Sequence, residues 1–182
     1  GWQKRPRGTS TRGVMPAAFV NFLENHDQVA NSADGVRMHA RTSPGRMRAM
    51  TALLLLMPGT PMLFQGQEFA SSAPFLYFGD HNSELARNVQ KGRAKFLAQF
   101  PSLASAEAQA GLQTPHDAST FERCKIDWCE RDTHAHAWRL HRDLLRLRQA
   151  EPAIARQAAG GVDGAVLADE AFVLRFLAGA PA

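Results

Sequence analysis

Two short apolar runs separated by a helical segment constrain the fold of this chain more than any other feature. The first, Ala17-Ala18-Phe19-Val20-Asn21-Phe22-Leu23, is apolar at almost every position and does not alternate with polar groups. Continuous runs of this kind predict a strand buried on both faces, as in parallel sheets covered by helices. It ends abruptly in Glu24-Asn25-His26-Asp27, and the stretch from Asn25 to Thr42 reads as a polar loop. Ser43 is a candidate N-cap and Pro44 suits the first helical turn. Met47, Met50, Leu53, Leu54 and Met57 then recur at steps of three and four, until Pro58-Gly59 stops the helix. The second apolar run, Pro61-Met62-Leu63-Phe64, ends in Gln65-Gly66-Gln67-Glu68. Strand, loop, helix, tight turn and strand make a βαβ unit, whose right-handed crossover predicts parallel strands. Both polar clusters then leave from the same sheet edge, the one that carries active sites in barrels and doubly wound sheets.

The pattern changes after Phe69. Ala73 to His81 is an aromatic-rich loop. Ser83 is placed to cap a helix with Leu85, Val89, Phe96, Leu97 and Phe100 on one face, interrupted by Gly92. Residues 101–132 read as irregular. Residues 133–150 predict an amphipathic helix with Ala137, Leu140, Leu144 and Leu147 on one stripe, flanked by Trp138 and Leu145. Glu151-Pro152 ends it, and Gly160-Gly161 reads as a linker. Val166-Leu167 and Phe172 to Leu177 predict a hairpin turning near Asp169-Glu170. Two strands are too few for an independent β domain. Together with the absence of an initial Met, this is the pattern expected of a piece of a longer protein.

Composition closes off several classes. At 182 residues and 45% hydrophobic, the chain can bury a core. Its densest apolar run, Leu53 to Met57, is far short of the ~20 residues that span a bilayer. The basic N-terminus, Gly1-Trp2-Gln3-Lys4-Arg5, is followed by no signal-like apolar segment. Net charge is only +4, although residues 1–50 hold eight Lys/Arg against three Asp/Glu. Arg37, Arg41, Arg46 and Arg48 read as a solvated helix face or linker rather than a nucleic-acid patch. Cys124 and Cys129, without a suitably spaced His pair, suggest free cytoplasmic thiols and neither a disulfide framework nor a zinc site. His134, His136 and His141 do not share one helical face and predict no metal site. No glycine-rich phosphate loop and no Gly-x-Ser-x-Gly elbow occurs. No cofactor is expected.

His26-Asp27 is the strongest candidate for chemistry. An ionised carboxylate at a strand end can oppose developing positive charge or orient a hydroxyl, and an adjacent imidazole can donate to a sugar or phosphate oxygen. The plain alternative is that Asp27 caps its own loop. Glu68 is the second candidate, with a structural pairing to an Arg as its alternative. Asp80-His81 follows an aromatic loop that could stack on a sugar or fill a core gap.

Phe22-Leu23-Glu24-Asn25-His26-Asp27 resembles the His-Asp motif on the seventh barrel strand of the α-amylase family of glycoside hydrolases and transferases. Pro58-Gly59-Thr60-Pro61 through Gly66-Gln67-Glu68 resembles that family's eighth-strand motif. Asn25 to Asn31, Pro74 to His81 and Thr120 to Trp128 are most similar to the branch that releases trehalose from malto-oligosyltrehalose. Glycogen branching enzyme is the rival. The resemblance implies an α/β fold, the C-terminal part of a (β/α)₈ TIM barrel with strands 7 and 8 and their helices. It places the barrel segment at 1–152 and a linker with the first strands of an all-β C-terminal domain at 153–182. It also implies that Asp27 stabilises the transition state and that Asn25, His26, Gln28 and Glu68 contact an α-glucan. Retaining glycosidases need two further carboxylates about 5 Å apart. The family carries these on strands four and five, and neither motif is found here. The competing expectations are a branching-type transferase and a non-catalytic carbohydrate-binding or interaction module.

Overall fold

A computed structural model describes residues 8–179, so the basic segment 1–7 lies outside the described residues. The predicted βαβ unit is present with shorter strands. β1 (Val20–Asn21) pairs in parallel with β2 (Thr60–Pro61), Val20 opposite Thr60 and Asn21 opposite Pro61. Thr60 N donates to Phe19 O at 2.8 Å and Met62 N to Asn21 O at 2.7 Å. The start of the first run is not extended, because Pro16–Ala18 form a 3₁₀ turn. The expectation that this strand is buried on both faces fails. Val20 is 57% exposed, and Phe19 and Phe22 are also open. A parallel strand is buried only when neighbours flank it and helices cover both faces. Among the described residues β1 has one sheet partner, β2.

Gly59 makes the tight turn into β2 possible. A Cβ at this position would lie 1.9 Å from Asn21 Nδ2. A side chain here would have to displace the Asn21 amide and would crowd Phe19 O, 3.1 Å away, so glycine lets this turn lie close against β1.

The stretch expected as a loop holds two short helices, α1 (His26–Ala30) and α2 (Met38–Arg41). α3 (Pro44–Leu56) is capped by Ser43, whose side chain accepts from Arg46 N at 3.3 Å. Leu54 and Leu55 are buried while Leu53 is open. α4 (Ser83–Leu97) is capped by Asn82 rather than Ser83. Its inward stripe is Ala86, Val89, Arg93 and Leu97, and the expected Leu85, Phe96 and Phe100 face outward. Arg93 fixes that rotation. Its guanidinium donates to Asn31 Oδ1 at 3.0 Å and to Ala30 O at the end of α1, and lies 4.7 Å from the Tyr77 ring centre.

Residues 101–132 are less irregular than predicted. They contain α5 (Ala106–Ala110), α6 (Ala118–Arg123) and most of the entry into α7 (Glu130–Thr133). α8 (Ala135–Ala150) is the predicted amphipathic helix and packs on α3. Its inward face is Ala137, Leu140, His141, Leu144 and Arg148, with Leu147 exposed. Arg148 is drawn inward because the last carbonyls of α3 have no helical partner. It donates to Leu55 O at 2.8 Å, Met57 O at 2.7 Å and Gly59 O at 2.6 Å.

After α9 (Pro152–Ala155), β3 (Val162–Ala168) and β4 (Ala171–Phe176) form the predicted antiparallel hairpin about Asp169-Glu170. Glu170 pairs with Arg46 at 2.7 Å. Val162 and Phe176 lie beside Leu56, Pro58 and Ile154, so the hairpin runs along α3. Its exposed side chains include Val166 at 82%.

Candidate functional site

β1 and β2 are parallel, so the segments that leave their C-terminal ends emerge at one edge. The first carries Asn25, His26, Asp27 and Gln28. Asn25 is the N-cap of α1: its Oδ1 accepts from Gln28 N at 3.1 Å, and Gln28 Oε1 accepts from Asn25 N at 3.1 Å. This reciprocal capping box satisfies two backbone donors that the helix start leaves open. The alternative in which Asp27 caps its own segment is therefore not what forms. Capping falls to Asn25, and Asp27 keeps its carboxylate outward. Asn25 and Gln28 each retain an amide N–H₂ group for other partners. His26 Nε2 stands 3.4 Å from Asp27 Oδ1, and the two side chains are 68% and 74% exposed. Among the described residues nothing encloses Asp27.

The second segment is built on a 3₁₀ turn, Gln67–Phe69, entered through Gly66 at φ 83° and left through Ala70 at φ 51°. A Cβ on Gly66 would meet Ser71 Cβ at 2.8 Å. Phe69 is completely buried and anchors the turn, and Glu68 is half-buried beside it. Glu68 lines an open cavity of 550 Å³ with Gln65, Trp138, His141, Arg142 and Arg146. No ion pair of Glu68 is present among the described residues, so the expected pairing with an Arg is not a direct contact.

What joins the two segments is a residue that sequence reasoning assigned to a solvated face. Arg37 is 2% exposed. Its Nε donates to Ala73 O at 2.7 Å and its Nη1 to Gln65 O at 2.7 Å, and the guanidinium lies 5.2 Å from the Phe64 ring centre. One side chain from the segment after β1 therefore holds the segment after β2. Burial lowers its pKa, while the negative charges of Glu24 and Glu68 oppose that shift. Glu24, also buried, accepts from Met38 N at 2.7 Å and fixes the residue next to Arg37. The only sequence signal for this pair is the unusual placement of Glu24 at the end of an apolar run.

Glu130, His134 and His141 serve the scaffold. Glu130 accepts from Ser71 Oγ at 3.1 Å and Ser72 N at 2.9 Å. Burial would raise its pKa, but these hydrogen bonds and nearby His134 hold it below the usual carboxylate range. His134 Nδ1 lies 3.1 Å from Phe69 O. His141 is buried with Nδ1 2.9 Å from Ala137 O, and burial lowers its pKa. No cluster of three metal-ligating side chains occurs among the described residues. Both cysteines are free. Cys124 is buried and bonded to Leu76 N at 3.1 Å, and the exposed Cys129 thiol is pushed up in pKa by Asp127. No helix among the described residues is long and apolar enough to cross a membrane.

Comparison with known proteins gives a consistent likeness. The chain is 37% identical over 154 residues to a malto-oligosyltrehalose trehalohydrolase of Deinococcus radiodurans, covering 84% of this chain and 25% of that protein. It is 36% identical over 164 residues to the protein of the same name from Brevibacterium helvolum, covering 88% and 27%. The crystal structure of a putative α-amylase from Salmonella typhimurium superposes with a TM-score of 0.74 at 35% identity, over 90% of this chain and 27% of that one. No family model matches. The chain thus spans about a quarter of the length of the curated relatives it matches.

Proposed function

From its homology to a quarter-length stretch of the malto-oligosyltrehalose trehalohydrolases, we propose that this chain is the C-terminal part of a retaining α-glucan hydrolase. Its substrate is a malto-oligosyltrehalose, and the products are trehalose and a shortened glucan. One observation carries this reading. The parallel pair β1–β2 directs both the Asn25–Gln28 segment and the Gly66-Gln67-Glu68 turn to one edge, and Arg37 ties them together. In this reading β1 and β2 are barrel strands 7 and 8, α3 and α8 are their helices, and residues 1–152 and 153–182 divide barrel from β domain.

Asp27 then serves as the transition-state stabiliser. Its exposed carboxylate accepts hydrogen bonds from hydroxyls of the distorted sugar, and these strengthen as the ring carbon gains positive charge. His26 is a donor to the same sugar, as are the free amide groups of Asn25 and Gln28. Glu68 stands at the rim. The nucleophile and the general acid are supplied by strands outside this chain, because glycosidic cleavage with retention needs a carboxyl pair about 5 Å apart. The chain alone is therefore inactive. The free thiols suit a reducing cytoplasm.

The test is trehalose release from malto-oligosyltrehalose by a longer enzyme that contains this segment. Asp27→Asn is expected to lower kcat roughly 10³-fold, on the scale of losing one preorganised transition-state contact. Near-normal turnover overturns the role of Asp27. A product with new branch linkages and no trehalose favours the transferase alternative.

A further inference from the structure

Neither the Asn25–Gln28 segment nor Glu68 lines a second opening, a groove of 510 Å³ between the aromatic loop and the start of α6. Its apolar lining is Phe78, Pro115 and Phe121, and its polar lining is Asp80, His116 and Asp117. Phe78 and Phe121 meet edge to face, with ring centres 5.1 Å apart and planes at 61°. Yet Phe78 is 36% exposed and Phe121 45%. The two walls are pinned to each other. Gly79 N donates to Pro115 O at 3.0 Å and Leu76 N to Cys124 Sγ at 3.1 Å, and within the α6 wall Thr120 Oγ1 donates to Thr114 O at 2.8 Å. Phe75 continues the aromatic ladder from Phe78 back to Phe64, beside β2.

The chemistry of the lining selects its ligand. Exposed aromatic faces carry negative partial charge and attract the C–H faces of a pyranose ring. Carboxylates accept hydroxyl hydrogens, and imidazole can donate or accept. An apolar peptide or lipid would desolvate Asp80 without compensation, while Asp117 already caps α6 by accepting from Ser119 N at 2.8 Å. A neutral polyol with apolar ring faces satisfies both kinds of group. The volume lies in the range of small-molecule sites, and a prefixed groove loses little freedom on binding. We infer that this groove is a secondary binding site for a short α-linked gluco-oligosaccharide, separate from the residues around Asp27. The choice of an α-glucan rests on the function proposed above.

The experiment is saturation-transfer NMR of the full chain titrated with maltotetraose, which tolerates self-association. The wild-type chain and Gly92→Ala, an exposed change remote from both sites, are expected to bind alike. Asp80→Asn and Phe78→Ala are expected to weaken binding at least about tenfold, the scale of one charged hydrogen bond. Asp80 is exposed, so its variant keeps the fold, and circular dichroism confirms this for both. Absence of binding by the wild-type chain overturns the inference. So does binding that Asp27→Asn abolishes and Asp80→Asn leaves intact. Groove binding together with Asp27-independent hydrolysis in the longer enzyme leaves this inference standing and defeats the catalytic reading.

Discussion

At the residue scale, the site depends on polar groups that stand where apolar ones would be expected. Glu24 ends an apolar run and is buried, and Arg37 follows a loop of small polar residues and is buried too. Backbone groups satisfy part of each, Met38 N for one carboxylate oxygen and Gln65 O and Ala73 O for two guanidinium nitrogens, while Glu24 Oε1 and Arg37 Nη2 stay buried without a hydrogen-bond partner. Removing Arg37 would leave two carbonyls unpaired and the Glu24 charge uncompensated. Arg37→Ala is expected to cost about 2–4 kcal/mol of stability, from one to two lost charged hydrogen bonds at about 1.5–3 each. Chemical denaturation measures this. An unchanged midpoint would mean that Arg37 does not hold the two segments together. The motif Asn25-His26-Asp27 was readable from the sequence as a candidate. The clamp behind it was not, because an Arg near other Arg residues looks like a solvated face until its distant carbonyl acceptors are known.

At the scale of elements, helices were well marked and their buried faces less so. Ser43-Pro44 and Pro58-Gly59 bound α3, and the stop at Glu151-Pro152 bounds α8. Periodicity alone chose Leu85, Val89, Phe96, Leu97 and Phe100 as the inner face of α4. Leu97 and Val89 of the expected face do turn inward, but the guanidinium of Arg93, bonded to the end of α1, brings Ala86 in beside them and leaves Leu85, Phe96 and Phe100 outside. Long charged side chains can anchor a face as firmly as apolar ones, and hydrophobic periodicity misses them. Gly92 in the same helix is exposed, and a Cβ there would meet nothing within 4 Å. Gly92→Ala is expected to raise stability by about 0.5–1 kcal/mol, because alanine loses less backbone freedom in a helix. A lower thermal midpoint for this variant would contradict that account.

At the scale of the molecule, the described residues leave many large apolar side chains open, among them Val20, Phe22, Met62, Val166 and Phe172. Open strand edges and apolar faces invite association. Sedimentation of the isolated chain is expected to show oligomers or aggregates. A compact monomer stable for days would contradict this expectation. The pH response also belongs to this scale. His141 and His39 both have pKa values lowered by burial. They stay neutral in the folded chain while the unfolded chain takes up protons below about pH 6.5. Their contribution is complete above that value and is lost as pH falls toward the folded pKa values. Denaturation at pH 7 and pH 5.5 should show lower stability at the acid end. His141→Gln should flatten that slope, and an equal slope in the variant would remove His141 as its source.

By itself the sequence determined the βαβ order, the position of α3 and α8, the hairpin about Asp169-Glu170, and the candidate status of His26-Asp27 and Glu68. These are local properties: caps, breakers, periodicity and the abrupt change from apolar to polar residues act over a few neighbours. Tertiary structure alone decided which arginines are buried and which stripe of each helix faces inward. Those outcomes depend on carbonyls and rings tens of residues away, such as Gln65 and Ala73 for Arg37 or Leu55 and Gly59 for Arg148. A local pattern cannot encode a partner that only the folded chain brings within hydrogen-bonding distance.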